Sequence, residues 1–447
     1  MKVKSDKEMK KIITIICCLV GCGISTAQTT YSLEQLKQLA VENNYSLRSA
    51  RNAIQQSKEV KSEAFTKFFP QISATGFGFQ NSKPLIDYDV ELPDIISQLI
   101  PQGLIPANIS LMKKGLYGSV SAVQPVFMGG QIINGNKLAK VGIEASELQM
   151  EVSADQVEQT TEDYYWQVVS LKEKLKTLAA VHEMLERLEK DVANMVRVGA
   201  VNRNDLLQVQ LRRGEVESTT AEVENGLSTV RQLLAQYVGK AGEDLDVTVP
   251  DGFVFGQVPE LPIALRQDHQ SALAATPQYR LLEKNVEGQR LQHAMAVGQN
   301  LPSIGVGASY SYNDWFSKST NAMIFATVHV PISGWWGGSH NIKKKSLALD
   351  DAKEQLQDNS QKLIIRMNNA WAAVETSHKK LQIAHDAIEQ ADENLRLNRD
   401  YYRVGTTKMS DLLFAQEQYQ QARDRFTDAY ATFQTKILEY RQATGQE

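Results

Sequence analysis

One ten-residue stretch occurs twice in this chain of 447 residues, and its two copies fix the layout of everything else. The first runs from Val198 to Leu207 and reads Val-Gly-Ala-Val-Asn-Arg-Asn-Asp-Leu-Leu; the second runs from Val404 to Leu413 and reads Val-Gly-Thr-Thr-Lys-Met-Ser-Asp-Leu-Leu. Gly199 and Gly405 are 206 residues apart, and the same offset sets Pro125 on Pro331 and Gly239 on Gly445. A fixed period of this kind means tandem duplication. Each copy follows one heptad-patterned segment and precedes another, with glycine where the first helix ends and Asn204 or Ser410 placed to cap the next. Each copy is therefore expected to be the tip of a helical hairpin.

The heptads themselves are long. Met367, Val374, Leu381, Ile388, Leu395 and Tyr402 recur every seven residues, as do Tyr164, Leu171, Leu178, Leu185 and Val192 in the first copy. The returning segments carry Val209, Val216, Val223, Val230 and Tyr237, and Leu412, Tyr419, Phe426, Phe433 and Tyr440. Such stripes are coiled-coil seams. A helix from about Asn136 to Val198 spans roughly 95 Å, a length for which a small globular domain has no use.

Upstream of each long helix the period changes to two. Pro70 and Pro302 end helical segments, and after each comes an alternating run, clearest where Ile304, Val306, Ala308, Tyr310 and Tyr312 interleave with Gly305, Gly307, Ser309 and Ser311. Four strands are expected, at 71–80, 116–127, 303–313 and 321–332, each with one apolar face and one small, polar face. Their length is that of strands crossing a bilayer at a tilt. Trp335 and Trp336 at one end, with Tyr312, Trp315 and Phe316 at the other, are placed to form aromatic girdles. The first half holds 26 extra residues between Asn81 and Gly115, with four prolines, which read as a surface loop. Residues 240–262 read as the linker between repeats 28–239 and 263–447, with room for a short strand.

The N-terminus carries Lys10-Lys11, an apolar run from Ile12 to Ile24, and Ser-Thr-Ala before Gln28, so residues 1–27 are expected to be an export signal. All three cysteines, Cys17, Cys18 and Cys22, lie inside it. Cleavage after Ala27 leaves a chain without thiols; lipidation at Cys22 is the other processing route that the segment permits. The whole chain has a formal charge of −4, and removing residues 1–27, with five lysines against two acids, takes it to −7. That balance argues against a nucleic-acid partner.

Signatures of catalysis or cofactor binding do not survive their spacing. Gly130 to Lys137 lacks the context of a phosphate loop and reads as a strand-to-helix turn. The seven histidines are scattered, with no zinc-binding pattern. No catalytic residue, cofactor or metal is expected. At the tips, Asp205 and Asp411 sit one turn into the returning helices, beside Tyr402, Arg203, Arg403 and Lys408, where they either complement the helix dipole or tie neighbouring hairpins together.

With the export signal, the duplicated strand-strand-helix-tip-helix unit and the Val-Gly-Ala and Val-Gly-Thr tips assembled, the chain resembles the TolC family of outer-membrane efflux proteins. The resemblance covers nearly everything after residue 28. It implies an α+β membrane protein, a homotrimer in which three sets of four strands close a twelve-stranded β-barrel in outer-membrane lipid while the helical hairpins form a periplasmic helical barrel. The implied function is that of an exit channel, not an enzyme, in a tripartite efflux or type I secretion system. Its partners are a periplasmic adaptor and an inner-membrane pump of the RND, ABC or a similar class. Val198, Gly199, Ala200, Val404, Gly405 and Thr406 match the positions where the adaptor docks. Asn204, Asp205 and Tyr402 match positions that hold the entrance closed, and Asp411 matches an acidic constriction. Thr407 departs from the family, some members having arginine there, with Lys408 beside it as a substitute; Phe414 replaces an acidic residue of some members. The rival reading is a periplasmic coiled-coil adaptor or scaffold without a channel, which needs hairpins but not two pairs of bilayer-length strands.

Overall fold

The computed structural model describes residues 29–89, 108–250, 253–315, 318–332 and 334–446. The export signal with Cys22, residues 90–107 of the proline-rich loop, and Phe316 lie outside the described residues.

Elements follow one another in two similar rounds. The first has β1 (Thr29–Tyr31), α1 (Leu33–Asn43), α2 (Tyr45–Thr66), β2 (Gln71–Gln80), β3 (Ile86–Asp89), β4 (Asn108–Leu111), β5 (Lys114–Met128), α3 (Gln131–Arg197) and α4 (Arg203–Tyr237). After β6 (Leu245–Val247) the second has α5 (His269–Ala272), α6 (Pro277–Gly298), β7 (Ser303–Asn313), β8 (Ser319–His329), α7 (Gly334–Arg403) and α8 (Met409–Thr444). The long helix α3 begins at Gln131, five residues before Asn136, because Gly129 and Gly130, both at positive φ, turn the chain directly out of the strand. No described helix is long and apolar enough to cross a membrane.

The chain divides into two units. One contains the residues described up to Arg51, together with Gln149–Tyr279 and those from Ser360 onward. Its core is the heptad seam: Leu178, Leu185, Val192, Val209, Val216, Met367, Val374, Leu381, Leu395, Leu412, Phe426, Phe433 and Tyr440 are all buried. Burying a side chain of this size stabilises by about 1.5 to 3 kcal/mol, so the stripe accounts for why these helices stay together. The expected linker is more than a connection. Its β6 pairs in parallel with β1, Leu245 and Val247 are buried, and Asp246 holds Lys172 Nζ at 2.9 Å and Arg231 Nη2 at 2.7 Å. Phe253 and Phe255 continue it into the core against Tyr430 and Phe426. His378 and His385, which share a helix face, pack against Phe433 and Phe426 in this seam.

The other unit contains Asn52–Leu148 and Arg280–Asn359, and in it lies a four-stranded antiparallel sheet in the order β2-β5-β7-β8. Register fixes its two faces. On one, Ile72, Val120, Ala122, Val306, Ala308, Ala326, Ile324 and Val328 form an apolar band, with Ile324 90% and Ile72 75% exposed. On the other, Ser73, Ser121 and Ser309 stand in one row and Thr75, Ser119, Ser311 and Asn321 in the next, and the Ser73 and Ser121 hydroxyls are 3.0 Å apart. A sheet whose apolar face is the exposed one is built for a lipid surrounding. Its outer edges, β2 and β8, are unpaired within the chain. The register of β5 shifts between Pro125 and Phe127, where proline has no N–H for the ladder. β8 ends at His329, short of residue 332, just before the chain reaches Pro331. The expected loop between Asn81 and Gly115 is partly regular: β3 and β4 form a two-stranded antiparallel ladder.

Candidate functional site

The two tips share one backbone solution. At the first, the Gly199 N–H donates to Val196 O at 3.0 Å and the Ala200 N–H to Met195 O at 2.9 Å; at the second, Gly405 donates to Tyr402 O at 3.0 Å and Thr406 to Tyr401 O at 2.9 Å. This pair of bonds closes a helix only if the glycine adopts a left-handed conformation, and φ is 77° at Gly199 and 80° at Gly405. An added Cβ would meet nothing within 4 Å at either position, so backbone conformation and not space demands glycine there. The turns leave Val198 76% and Val404 68% exposed at their apices.

The returning helices start earlier than expected. Asn202 and Lys408 occupy the capping positions, with extended backbones, and Asn204 and Ser410 lie inside the first turn. Asp411 is tied to its own turn: its carboxylate accepts from the Thr407 hydroxyl at 3.1 Å, the Lys408 N–H at 3.4 Å and the Ser410 hydroxyl at 3.3 Å. A carboxylate in the first turn also meets the positive end of the helix dipole. Asp205 reaches instead to the other hairpin, where the Tyr402 hydroxyl donates to its Oδ2 at 3.4 Å. Burial, and then the charge and acceptance of Asp205, push the Tyr402 phenol up to about 12, so it stays protonated and can donate at any physiological pH. Beneath them Leu412, Met409, Val209 and Val192 seal the end of the seam.

A second link between hairpins was not foreseen. Arg212 on α4 donates through Nε to Gln416 Oε1 at 3.0 Å and through Nη2 to Gln420 Oε1 at 3.4 Å, both on α8. Gln416 is 1% exposed, which makes this the more enclosed of the two links.

Residues 269–446 match the family described as Outer membrane efflux protein. The second half of the chain is an outer membrane efflux protein domain. No curated protein sequence matches the chain. Solved structures extend the likeness of fold to the first half. The Campylobacter jejuni CmeC outer membrane channel has a TM-score of 0.74 at 16% identity, covering 95% of this chain and 90% of that one. The open-state MtrE outer membrane channel of Neisseria gonorrhoeae gives 0.71 at 18%, covering 93% and 89%, and the outer membrane protein VceC of Vibrio cholerae gives 0.71 at 13%, covering 93% and 96%. This efflux protein therefore combines the resemblance seen in its tips with the fold of outer-membrane channels over nearly its whole length, with the strands and hairpins that such a channel needs.

Of the gate positions in the efflux protein, the structure brings Asp205 to Tyr402 and Thr407 and Lys408 to Asp411. It leaves Asn204 exposed. Arg203 and Arg403 are exposed too, and Arg403 pairs at 3.3 Å with Asp400 of its own helix. Arg212 and Gln416 escaped sequence reading because they are 204 residues apart; the signal available was an arginine and a glutamine at equivalent depth below duplicated tips. Among the described residues no cluster of three or more histidine, cysteine or acidic side chains is placed to hold a metal ion.

Proposed function

We propose that this chain is one protomer of a trimeric outer-membrane exit duct, which receives cargo from an inner-membrane pump through a periplasmic adaptor and releases it outside the cell. The observation that carries the reading is the sheet: four bilayer-length strands, apolar on one face and hydroxyl-lined on the other, with both edges open. Open edges cannot face lipid, and four strands cannot enclose a water-filled pore, so copies must join edge to edge. Three copies give the twelve strands that a conduit requires. The periplasmic scaffold reading leaves the exposed Ile72, Ile324 and Val328 band without a surrounding, and the family match to outer-membrane efflux proteins favours the duct.

At the other end, the exposed apices Val198-Gly199-Ala200 and Val404-Gly405-Thr406 are the adaptor's docking points, small enough for another hairpin to seat against the backbone. Asp205 with Tyr402, helped by Asn204, Thr407 and Lys408, holds the entrance closed, and Asp411 supplies negative charge there. An adaptor opens it only by binding the open tips more tightly than the closed ones. Fractionation of cells tests the reading: recovery in the outer membrane as a trimer, with a Val404→Cys variant cross-linking to a periplasmic protein, is expected. Recovery as a soluble periplasmic monomer would contradict it.

A further inference from the structure

Building on the duct reading, in which the hydroxyl face of the sheet is the lumen wall, the far end of that wall carries a feature the duct does not need. Inward positions along the four strands hold serine, threonine, asparagine and glycine and no lysine, arginine, aspartate or glutamate. At the end where β7 turns into β8, away from the helices, this hydroxyl surface gives way to four aromatic rings. Phe77 and Phe79 stack with centroids 5.9 Å apart, Phe79 meets Trp315 edge-on at 6.1 Å, and Trp315 meets Tyr117 at 5.9 Å.

Trp315 belongs to the inner face although it follows Tyr312, which lies on the outer one. The proof is Gly115, the cross-strand partner of Phe79: a Cβ there would stand 2.5 Å from Phe79 and 2.6 Å from Trp315, so both rings lie over it. The expectation of a lipid-side girdle thus fails for Trp315. Two further facts show an incomplete cluster. Phe77 is 55% exposed, with ring surface open to the lumen, and the Trp315 indole N–H is buried without any acceptor. A buried donor with no partner is unfavourable where it stands, and an acceptor brought by a ligand relieves it.

We propose that Phe77, Phe79, Tyr117 and Trp315 form a cargo-contact subsite near the outer mouth of the duct, which holds planar aromatic compounds bearing a hydrogen-bond acceptor. Flat π-surfaces stack on Phe77, the acceptor meets the Trp315 N–H, and a wall free of fixed charge elsewhere lets the compound move on.

The test compares two probes of equal charge, 2-naphthoate and cyclohexanecarboxylate, added to the purified trimer in a planar bilayer. Blocks of single-channel current by 2-naphthoate should last longer than those by cyclohexanecarboxylate. Phe77→Ser, at an exposed position, should shorten the naphthoate blocks about fivefold, and Trp315→Phe, which keeps a ring but loses the N–H, about threefold, with the cyclohexanecarboxylate response unchanged. Equal block times for the two probes, or naphthoate blocks unaltered in Phe77→Ser, would overturn the subsite while leaving the duct intact. Absence of any current, even with the entrance released by Asp205→Ala and Tyr402→Phe, would overturn the duct and the subsite together.

Discussion

Tyr402, at the end of α7, donates its hydroxyl to Asp205, in the first turn of α4, and so joins the tips of the two duplicated hairpins within one chain. At 3.4 Å this is a long bond, but its acceptor is ionised and the phenol is partly buried. It is the contact a closed entrance would lose on opening. Replacing Tyr402 with Phe and Asp205 with Ala should raise single-channel conductance without lowering the yield of assembled trimer. Unchanged conductance would show that these two side chains serve only the packing of the tip.

Arg212 offers a stronger prediction. A hydrogen bond from a charged donor contributes about 1.5 to 3 kcal/mol, and Arg212→Ala also strands the buried amide of Gln416. This variant should unfold at lower denaturant concentration than the wild type and more so than Tyr402→Phe. Restoring an apolar surface with Arg212→Leu and Gln416→Leu together should recover part of the loss, because neither polar group is then left unpaired. If Arg212→Ala denatures like the wild type, the link carries no weight.

Charge on the two faces of the sheet should have opposite consequences. Lysine in place of outward Val306 costs about 2 to 4 kcal/mol near a bilayer midplane and should abolish assembly. Lysine in place of inward Ser309, one row of hydroxyls away, should assemble normally and shift ion selectivity towards anions. Gel mobility of the trimer and reversal potentials read the two outcomes, and the reverse pattern would mean that the faces are assigned backwards.

Two half-buried aspartates make the helical unit sensitive to pH. Burial, with Glu158 and Glu151 nearby, raises the Asp155 carboxyl to about 6; burial, reinforced by Asp428 and opposed by Lys174, does the same for Asp424. An unfolded aspartate titrates at about 3.9, so between about 4 and 6 the folded chain holds more protons than the unfolded one. Stability from these groups is therefore full below about 4 and is lost as pH rises through about 6. The detergent-solubilised protein should melt at higher temperature at pH 5 than at pH 7.5, and Asp424→Asn should narrow the difference. A melting temperature that rises over this interval would contradict the assignment.

Much of this was legible because it is periodic. A stripe every seven residues can only be a helix seam, an alternation bounded by prolines and turns can only be a two-faced strand, and a repeat at 206 residues makes each half a check on the other. Features without a period were not legible. The capping asparagine was placed at Asn204, next to the apolar run, but the left-handed glycine leaves room for just two residues before the extended Asn202 begins the helix. Trp315 sits in a turn, where alternation stops and sidedness is set by the space above Gly115. The strand β6 is three residues long, and its reason for existing is β1, more than 200 residues earlier. Arg212 and Gln416 meet only because two hairpins lie side by side.

The central claim is that copies of this chain enclose a water-filled path through a membrane. Purified protein added to one side of a planar lipid bilayer tests it most directly. Discrete, uniform conductance steps are expected from the trimer, larger for the Asp205→Ala and Tyr402→Phe double variant than for the wild type. A bilayer that stays silent with both proteins, under conditions where the protein is shown to have inserted, would contradict it.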